Sequence, residues 1–425
     1  MSPKQLLDLA QQLVHDVLTF TYASDTCVSS FFRRNKLLGP RERHALAETT
    51  YQVVRQRLLY THLALDGKKT TPENRAQLER RLVLLGWQGR DVDLHAGSTV
   101  DERDWLAKMR KTDLAALPDK LRHNLPDWLA QRLRDQAGDD FWPLVEALHT
   151  PAPLDLRVNA LRIKREAAIA GLQEDGMVAA PTPYSPWGLR VQGKPALNRN
   201  EMFLRGDIEV QDEGSQLLAL LVDAHRGEMV ADFCAGAGGK TLALGASMRN
   251  TGRLYAFDTS GHRLAALKPR LKRSGLDNVY TAQIAHERDE RIKRLQGKMD
   301  RVLVDAPCSG MGTLRRNPDL KWRQSPAALV ELAALQTQIL ASAARLVKPG
   351  GRLVYSTCSL LREENEAIAE AFGSATPGWT RLDAAAVLEK AGVENAADLV
   401  RNGDLRLWPH RHACDGFYAA VWQKD

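Results

Sequence analysis

From about Gly206 onward the chain repeats one unit: a short apolar run, a turn, then a helix-length stretch. EMVADFC leads into GAGGKTLALGASM, and GRLYAFD leads into GHRLAALKPRLKRSG. VYTAQI and RVLVD follow, then PAALVELAALQTQILASAARLV and GRLVYSTC. Strands that alternate with helices return in the same direction, so the pattern dictates a doubly wound α/β fold around a parallel sheet. Ligands of such folds sit at the carboxyl ends of the strands. Asp232 to Lys240, Asp258, Asp305 with Cys308, and Cys358 all fall at such ends, and one cleft is expected to gather them.

The preceding residues read differently. In LLDLAQQLVHDVL and ERHALAETTYQVVRQRLLYTHLAL apolar residues recur at three and four, which predicts an all-helical domain over 1–122. Residues 123–205 begin with a helix pair, LPDWLAQRLRDQAGDDFWPLVEALH, and then alternate short strands with one helix, giving a small α/β module. The third domain spans 206–425. No apolar run approaches the ~20 residues of a membrane helix. The opening MSPKQLLDLAQQLVHD carries acids in an amphipathic pattern, unlike an export signal.

The five cysteines (27, 234, 308, 358, 414) include no CxxC, which argues against a disulfide framework and a thiolate zinc site. His410, His412 and Cys414 supply three spaced ligands and no fourth, so no metal is expected. A cytoplasmic monomer with reduced thiols fits this usage. The net charge is +7, and the excess clusters. Between Ser29 and Tyr60 lie Arg33, Arg34, Lys36, Arg41, Arg43, Arg55 and Arg57, against Glu42 and Glu48. Such a cluster suits phosphate binding, with Arg33, Arg34, Arg41 and Arg43 as candidates for RNA contact. Arg263 to Arg273, by contrast, reads as the solvated face of a helix interrupted by Pro269.

DFCAGAGGKT permits three readings. Gly239-Lys240-Thr241 ends like a phosphate loop, but that motif's first glycine would fall on Cys234. A dinucleotide fingerprint begins at Gly236 and Gly238 but meets Thr241 where its third glycine belongs. The third reading is an S-adenosyl-L-methionine site: a glycine turn admits the methionine moiety, a helix N-terminus faces its carboxylate, and an acid after the second strand holds the ribose. Asp258 is that acid. Cys234, Ala235, Gly236, Ala237, Gly238, Gly239, Lys240, Asp258 and Asp305 are the candidate cofactor residues.

The cysteines extend this reading. C5 of cytosine is a poor nucleophile until a thiolate adds at C6 and makes the ring an enamine. A base must later take the C5 proton, and an acid near N3 must stabilise the adduct. Cys358, Cys308 and Asp305 supply one such set.

Residues 206–425 resemble the catalytic domain of the RNA cytosine-5 methyltransferases of the Sun/RsmB and nucleolar NOL/NOP type. The matching stretches are VQDEGSQL, DFCAGAGGKT, AFD, DAPCSGMGTLRRNPDLKW, the Gln336 helix, PGGRLVYSTCSLLREENE and DGFYAAVW. The resemblance implies a class I Rossmann-like fold, with Cys358 as nucleophile and Cys308 assisting release. It also implies that the N-terminal helices are a NusB-like RNA-binding domain and that the middle module contacts RNA. Arg315, Arg316, Lys321 and Arg323 follow the catalytic loop and are expected to position phosphates beside a flipped cytosine. Two stretches depart from the family pattern: Gly236-Ala237 stand where it has Ala-Pro, and QIAHER (Ile284, Ala285, His286) lacks the usual adenine-side acid. Small-subunit ribosomal RNA is the expected substrate. Transfer RNA, a P-loop hydrolase with an RNA-binding domain and a non-catalytic RNA-binding assembly factor stand as alternatives.

Overall fold

The computed structural model describes all of the 425 residues except Lys194. Contacts divide the chain into two compact units: Met1–Thr150 with Thr313–Ser325, and Pro151–Gly312 with Pro326–Asp425.

The first unit is helical. Its opening helix, Pro3–Leu18, starts with a capping box in which the Ser2 hydroxyl accepts from Gln5 N and the Gln5 side chain accepts from Ser2 N. It buries Leu6, Leu7, Ala10, Leu13, Val14 and Val17, the stripe that a 3.6-residue period aligns. The run ERHALAETTYQVVRQRLLYTHLAL forms two helices, Pro40–Arg55 and Arg57–Leu65, broken at Gln56. Asn124 supports the break. Its Oδ1 accepts from Leu58 N and Leu59 N, satisfying donors that the new helix start leaves orphaned, while its Nδ2 donates to Gln56. Helices Asp127–Ala137 and Phe141–His149 fall in this unit by contact.

Thr313–Ser325 also belongs to the helical unit. Trp322 Nε1 donates to Val54 O at 2.9 Å, Lys321 Nζ to Arg55 O at 2.9 Å, and Arg55 Nη2 to Arg315 O at 3.1 Å.

The second unit begins with four strands, β1 (Leu154–Val158), β2 (Ala179–Pro181), β3 (Gly188–Val191) and β4 (Ile208–Val210). They pair antiparallel in the order β2-β3-β1-β4. VQDEGSQL joins this sheet to the helix Glu213–Val222. Gln211 accepts from Arg157 on β1, Asp212 caps the helix through Gly214 N, and Glu213 accepts from Tyr184 N and Ser185 N.

The large sheet contains β5 (Met229–Asp232), β6 (Arg253–Asp258), β7 (Val279–Gln283), β8 (Met299–Asp305), β9 (Val347–Thr357), β10 (Trp379–Leu382), β11 (Val400–Arg401), β12 (Asp404–Leu407) and β13 (Phe417–Lys424). The order is β11-β12-β13-β9-β8-β5-β6-β7, with β10 on β13. Strands β5 to β9 run parallel, as the alternation requires. The C-terminal strands pair antiparallel, so the sheet is mixed. The connection over 408–416 is too short for a parallel crossover, which takes a dozen or more residues. The order reverses between β5 and β8, and that switch point is where a ligand cleft forms.

Helix Pro326–Ala344 is, by length and composition, long and apolar enough to cross a bilayer, contrary to the sequence reading. Here it packs as a core helix, with Ile339, Leu340 and Ala343 against Val302, Val304 and Leu353 of β8 and β9.

Candidate active site

The turn after β5 has two glycines in the left-handed region, Gly236 (φ 55°) and Gly238 (φ 83°). At Gly238 a Cβ would also lie 2.1 Å from Leu267 Cδ1, so only glycine brings the turn this close to the next helix. Asp258, at the end of β6, accepts from Gly236 N at 2.8 Å and Ser260 N at 2.7 Å. A carboxylate that receives two backbone donors still has lone pairs for hydroxyls. The turn is braced from outside by Arg270, whose Nη1 donates to Ala237 O at 2.5 Å. Arg270 and Arg273 also pair with Glu209 of β4. Part of the basic helix is thus a brace and not the solvated face expected of it.

These elements enclose a cleft of about 750 Å³. Cys234, Ala235, Gly236, Ala237, Gly238, Gly239, Lys240, Asp258 and Asp305 all line it, together with Cys308 and Cys358. Glu287 lines it too, one residue beyond the Ile284–His286 stretch that lacked an acid. Asp232 is buried at the end of β5 and accepts from Thr241 Oγ1 at 2.6 Å, while its Oδ1 has no partner. Burial pushes its pKa up to about 7. An orphaned buried carboxylate oxygen at a cleft wall suits a cationic ligand. The ammonium of S-adenosylmethionine matches it, as the ribose hydroxyls match Asp258.

The two thiols converge. Cys308, three residues past β8, and Cys358, one past β9, have their sulfurs 3.3 Å apart. The backbone draws the two loops together, since Gly312 N donates to Cys358 O at 2.9 Å. A Cβ at Gly312 would lie 2.0 Å from Gly416 O, which explains the glycine. Hydrogen bonding to Cys358, then burial and the charges of Cys358 and Glu364, raise the Cys308 pKa well above an ordinary thiol's. Cys308 therefore keeps its proton.

Lys240, expected as a cofactor residue of the loop, also meets the catalytic candidates. Its Nζ lies 2.7 Å from Asp305 Oδ2. Burial alone would depress its pKa, but the charges of Asp305 and Cys358 outweigh that and raise it. An ammonium thus sits beside Asp305 and within electrostatic reach of Cys358.

Gln336 and Glu364 carry polar groups into the core behind the thiols, a role unread in their motifs. Both are fully buried. A Glu in the middle of STCSLLREENE, a stretch that must pass close under a strand end, was the available signal.

The expected RNA contacts separate. Arg33, Arg34 and Arg41 are exposed, with Arg34 paired to Asp16 at 3.1 Å. Arg43 is held by the Leu38 carbonyl and lies over the Phe32 ring. Arg316 is half-buried and Arg323 exposed, bridging to Asp319. Arg315 and Lys321 are buried, and Lys321 is only 3% exposed, with Nζ spent on the Arg55 carbonyl. Lys321 is thus a buried structural residue of the helical unit and not a surface cation beside the catalytic loop. Among the described residues no three His, Cys, Asp or Glu side chains gather to hold a metal. His412, read as one of three spaced ligands, hydrogen-bonds Trp408 N and Asp398 O.

A mixed sheet whose parallel strands carry a glycine turn after the first, an acid after the second and a ligand cleft at the switch point defines a Rossmann-like methyltransferase fold. Comparison with known proteins narrows the class. Residues 219–423 match the family described as 16S rRNA methyltransferase RsmB/F, and residues 125–198 match the ferredoxin-like domain of RsmF/B-like methyltransferases. A probable ribosomal RNA small subunit methyltransferase B of Synechocystis sp. is 35% identical over 305 residues, 71% of this chain and 67% of that protein. The crystal structure of PH0851 superposes with a TM-score of 0.79 at 26% identity, covering 100% of this chain and 99% of that one. A methyltransferase homolog from Pyrococcus horikoshii gives 0.63 at 28% identity, over 74% of this chain and all of that one. The chain belongs to the RsmB/F methyltransferase family.

Proposed function

We propose that the protein methylates C5 of a cytosine in small-subunit ribosomal RNA, using S-adenosylmethionine and a covalent Cys358–C6 adduct. The observation that carries this reading is the 3.3 Å approach of two thiols inside the cleft that the glycine turn and Asp258 line. A phosphate loop needs no thiol, and neither does a purely RNA-binding assembly factor. The name of the Synechocystis relative supports ribosomal over transfer RNA as substrate.

Asp258, Asp232 and the turn from Cys234 to Gly239 would hold the methyl donor, which supplies an electrophilic methyl group when bound. Cys358 is the nucleophile. Its sulfur gives up its proton to solvent water and bonds to C6, and the C5=C6 electron pair shifts toward N3. The Asp305–Lys240 pair stabilises that charge, with the Lys240 ammonium as proton source. C5 then carries the enamine electrons and can accept the methyl group.

Cys308 acts in release. Its proton is held chiefly by its bond to Cys358 and by burial. Once the Cys358 sulfur is a neutral thioether, that bond and charge are gone and Cys308 can give its proton to solvent water. The Cys308 thiolate then takes the C5 proton, the C5=C6 bond re-forms as the N3 proton returns to Lys240, and the S–C6 pair returns to Cys358. The helical unit and the small sheet would supply RNA contacts.

Incubating purified small-subunit RNA and S-adenosylmethionine with variants tests this sequence. Cys308→Ala should accumulate a protein–RNA adduct that survives denaturing electrophoresis. Cys358→Ala and the double variant should form none. The reverse pattern would make Cys308 the nucleophile and overturn the assignment.

A further inference from the structure

Glu364 lies below the two thiols and is completely buried. Each of its oxygens is used twice. Oε1 accepts from Ser309 N at 2.8 Å and from Gln336 Nε2 at 3.0 Å. Oε2 accepts from Ser309 Oγ and Ser359 Oγ, both at 2.5 Å. Ser309 immediately follows Cys308, and Ser359 immediately follows Cys358. Gln336 also donates to Pro307 O at 3.0 Å, the carbonyl just before Cys308. One carboxylate therefore holds the chain on both sides of one thiol and directly after the other.

This arrangement has a cost that needs a reason. A buried carboxylate is tolerated only when its lone pairs are satisfied, and a Ser–Ser bond with an apolar residue in place of Glu364 would close the core with less desolvation. The two serine hydroxyls are 3.3 Å apart, close enough to bond each other without it. A carboxylate does something that this pair alone would not. It accepts and never donates, so it fixes the direction of every hydrogen bond around it. It also places a negative charge beneath Cys308, and that charge is among the causes that keep the Cys308 proton in place.

We propose that Glu364 is the positioning residue of the active site, clamping the Cys308 and Cys358 loops so that one sulfur remains a thiol while the other serves as nucleophile. It touches neither substrate nor methyl donor, and it acts through Ser309 and Ser359. The proposal rests on the functional reading above for its consequence in turnover. The clamp itself can be read without RNA.

The test uses the full chain and Glu364→Gln, which keeps the shape but replaces an acceptor oxygen with a donor and removes the charge. The first readout is the pH dependence of Cys308 alkylation by iodoacetamide, measured in a Cys358→Ser background. Neutralising Glu364 should move its midpoint down by about one pH unit. The second is single-turnover methylation, expected to fall roughly 10²-fold while the equilibrium constant for S-adenosylmethionine stays within twofold. Ser309→Ala/Ser359→Ala guards against a Gln variant that fails to fold. It removes the two hydroxyl donors among the clamp's four while leaving the Ser309 and Gln336 N–H bonds, and it should lower turnover in the same direction without moving S-adenosylmethionine affinity. An unchanged alkylation midpoint together with turnover within threefold of the parent, in a folded variant, overturns the proposal. If Glu364→Gln does not fold, the double serine variant decides by the same turnover criterion. A shifted midpoint in a protein whose parent never methylates RNA would sink the functional reading and leave the clamp standing.

Discussion

Lys240, half-buried in the wall of the cleft, and Lys321, fully buried in the helical unit, are two lysines withdrawn from solvent. Lys240 meets Asp305 at 2.7 Å, while Lys321 meets the Arg55 carbonyl at 2.9 Å with the Arg55 guanidinium nearby. Burial penalises the charge of each. In the cleft the charges of Asp305 and Cys358 more than offset it, and the Lys240 pKa rises. In the helical unit burial and then repulsion from Arg55 act together, and the Lys321 pKa falls well below its ordinary value. Partners, not depth, decide which lysine is a cation. The same contrast separates a lysine paired with a carboxylate of the cleft from one that fills a packing position.

The largest effect expected from breaking this contrast is on catalysis. Asp305→Ala should lower methylation by about 10²- to 10⁴-fold, the usual worth of a positioned acid. It should do so without trapping an adduct, because stabilisation is lost before the release step. Lys240→Met should fall in the same range, and Lys240→Arg should recover part of the loss. Single-turnover kinetics would read both. A Lys240→Met protein as active as its parent would show that the ion pair is structural.

A smaller effect concerns stability against pH, where the two lysines have opposite signs. Lys240 has a raised folded-state pKa, so its contribution is fully present below the ordinary value of 10.5 and is lost as pH rises through the folded value. Lys321 has a lowered one. The unfolded chain binds its proton below 10.5 while the folded chain does not, so stability rises with pH across that window. Lys321→Met should flatten this rise and leave the unit as stable or more so at neutral pH, since a buried amine without a counter-charge is replaced by an apolar chain. Urea unfolding at several pH values would measure it. A steeper pH dependence in Lys321→Met would contradict the assignment.

The cleft was far more legible in the sequence than the helical unit. Strand, turn and helix follow from periodicity, and the fold then carries Asp258, Asp305, Cys308 and Cys358 to one end of the sheet whatever else the chain does. The Gly238 turn is equally readable, because a left-handed backbone against Leu267 admits little else. The antiparallel strands were not read, since FYAAVW has no polar alternation to mark its partners; all six of those residues are buried. Nor did composition reveal what each basic residue does. An arginine has five donors and can give them to phosphate, to a carbonyl as Arg43 does, or to a ring as Arg57 does over Phe20 and Trp322. Glu364 stayed hidden for a related reason: the two serines it joins lie 50 residues apart and meet only in the fold.

The smallest expected effect returns to those basic residues, because each phosphate contact changes only the steepness with which RNA affinity falls with salt. Arg33, Arg34 and Arg41 are exposed and can reach a polyanion, although Arg34 must first leave Asp16. Each one that releases counterions should reduce the log–log slope by roughly 0.7 to 0.9 when neutralised, so the triple Ala variant should lose about 2 to 3. Arg43→Ala is different, since its guanidinium is committed to Leu38 O and the Phe32 ring. It should cost stability in the helical unit and leave the slope within error. Lys321→Met is the control from the buried side, and it too should leave the slope unchanged. Filter binding over a salt series separates the cases. A slope that drops for Lys321→Met but not for the triple variant would mean that the helical unit opens on RNA and exposes the lysine that it now buries.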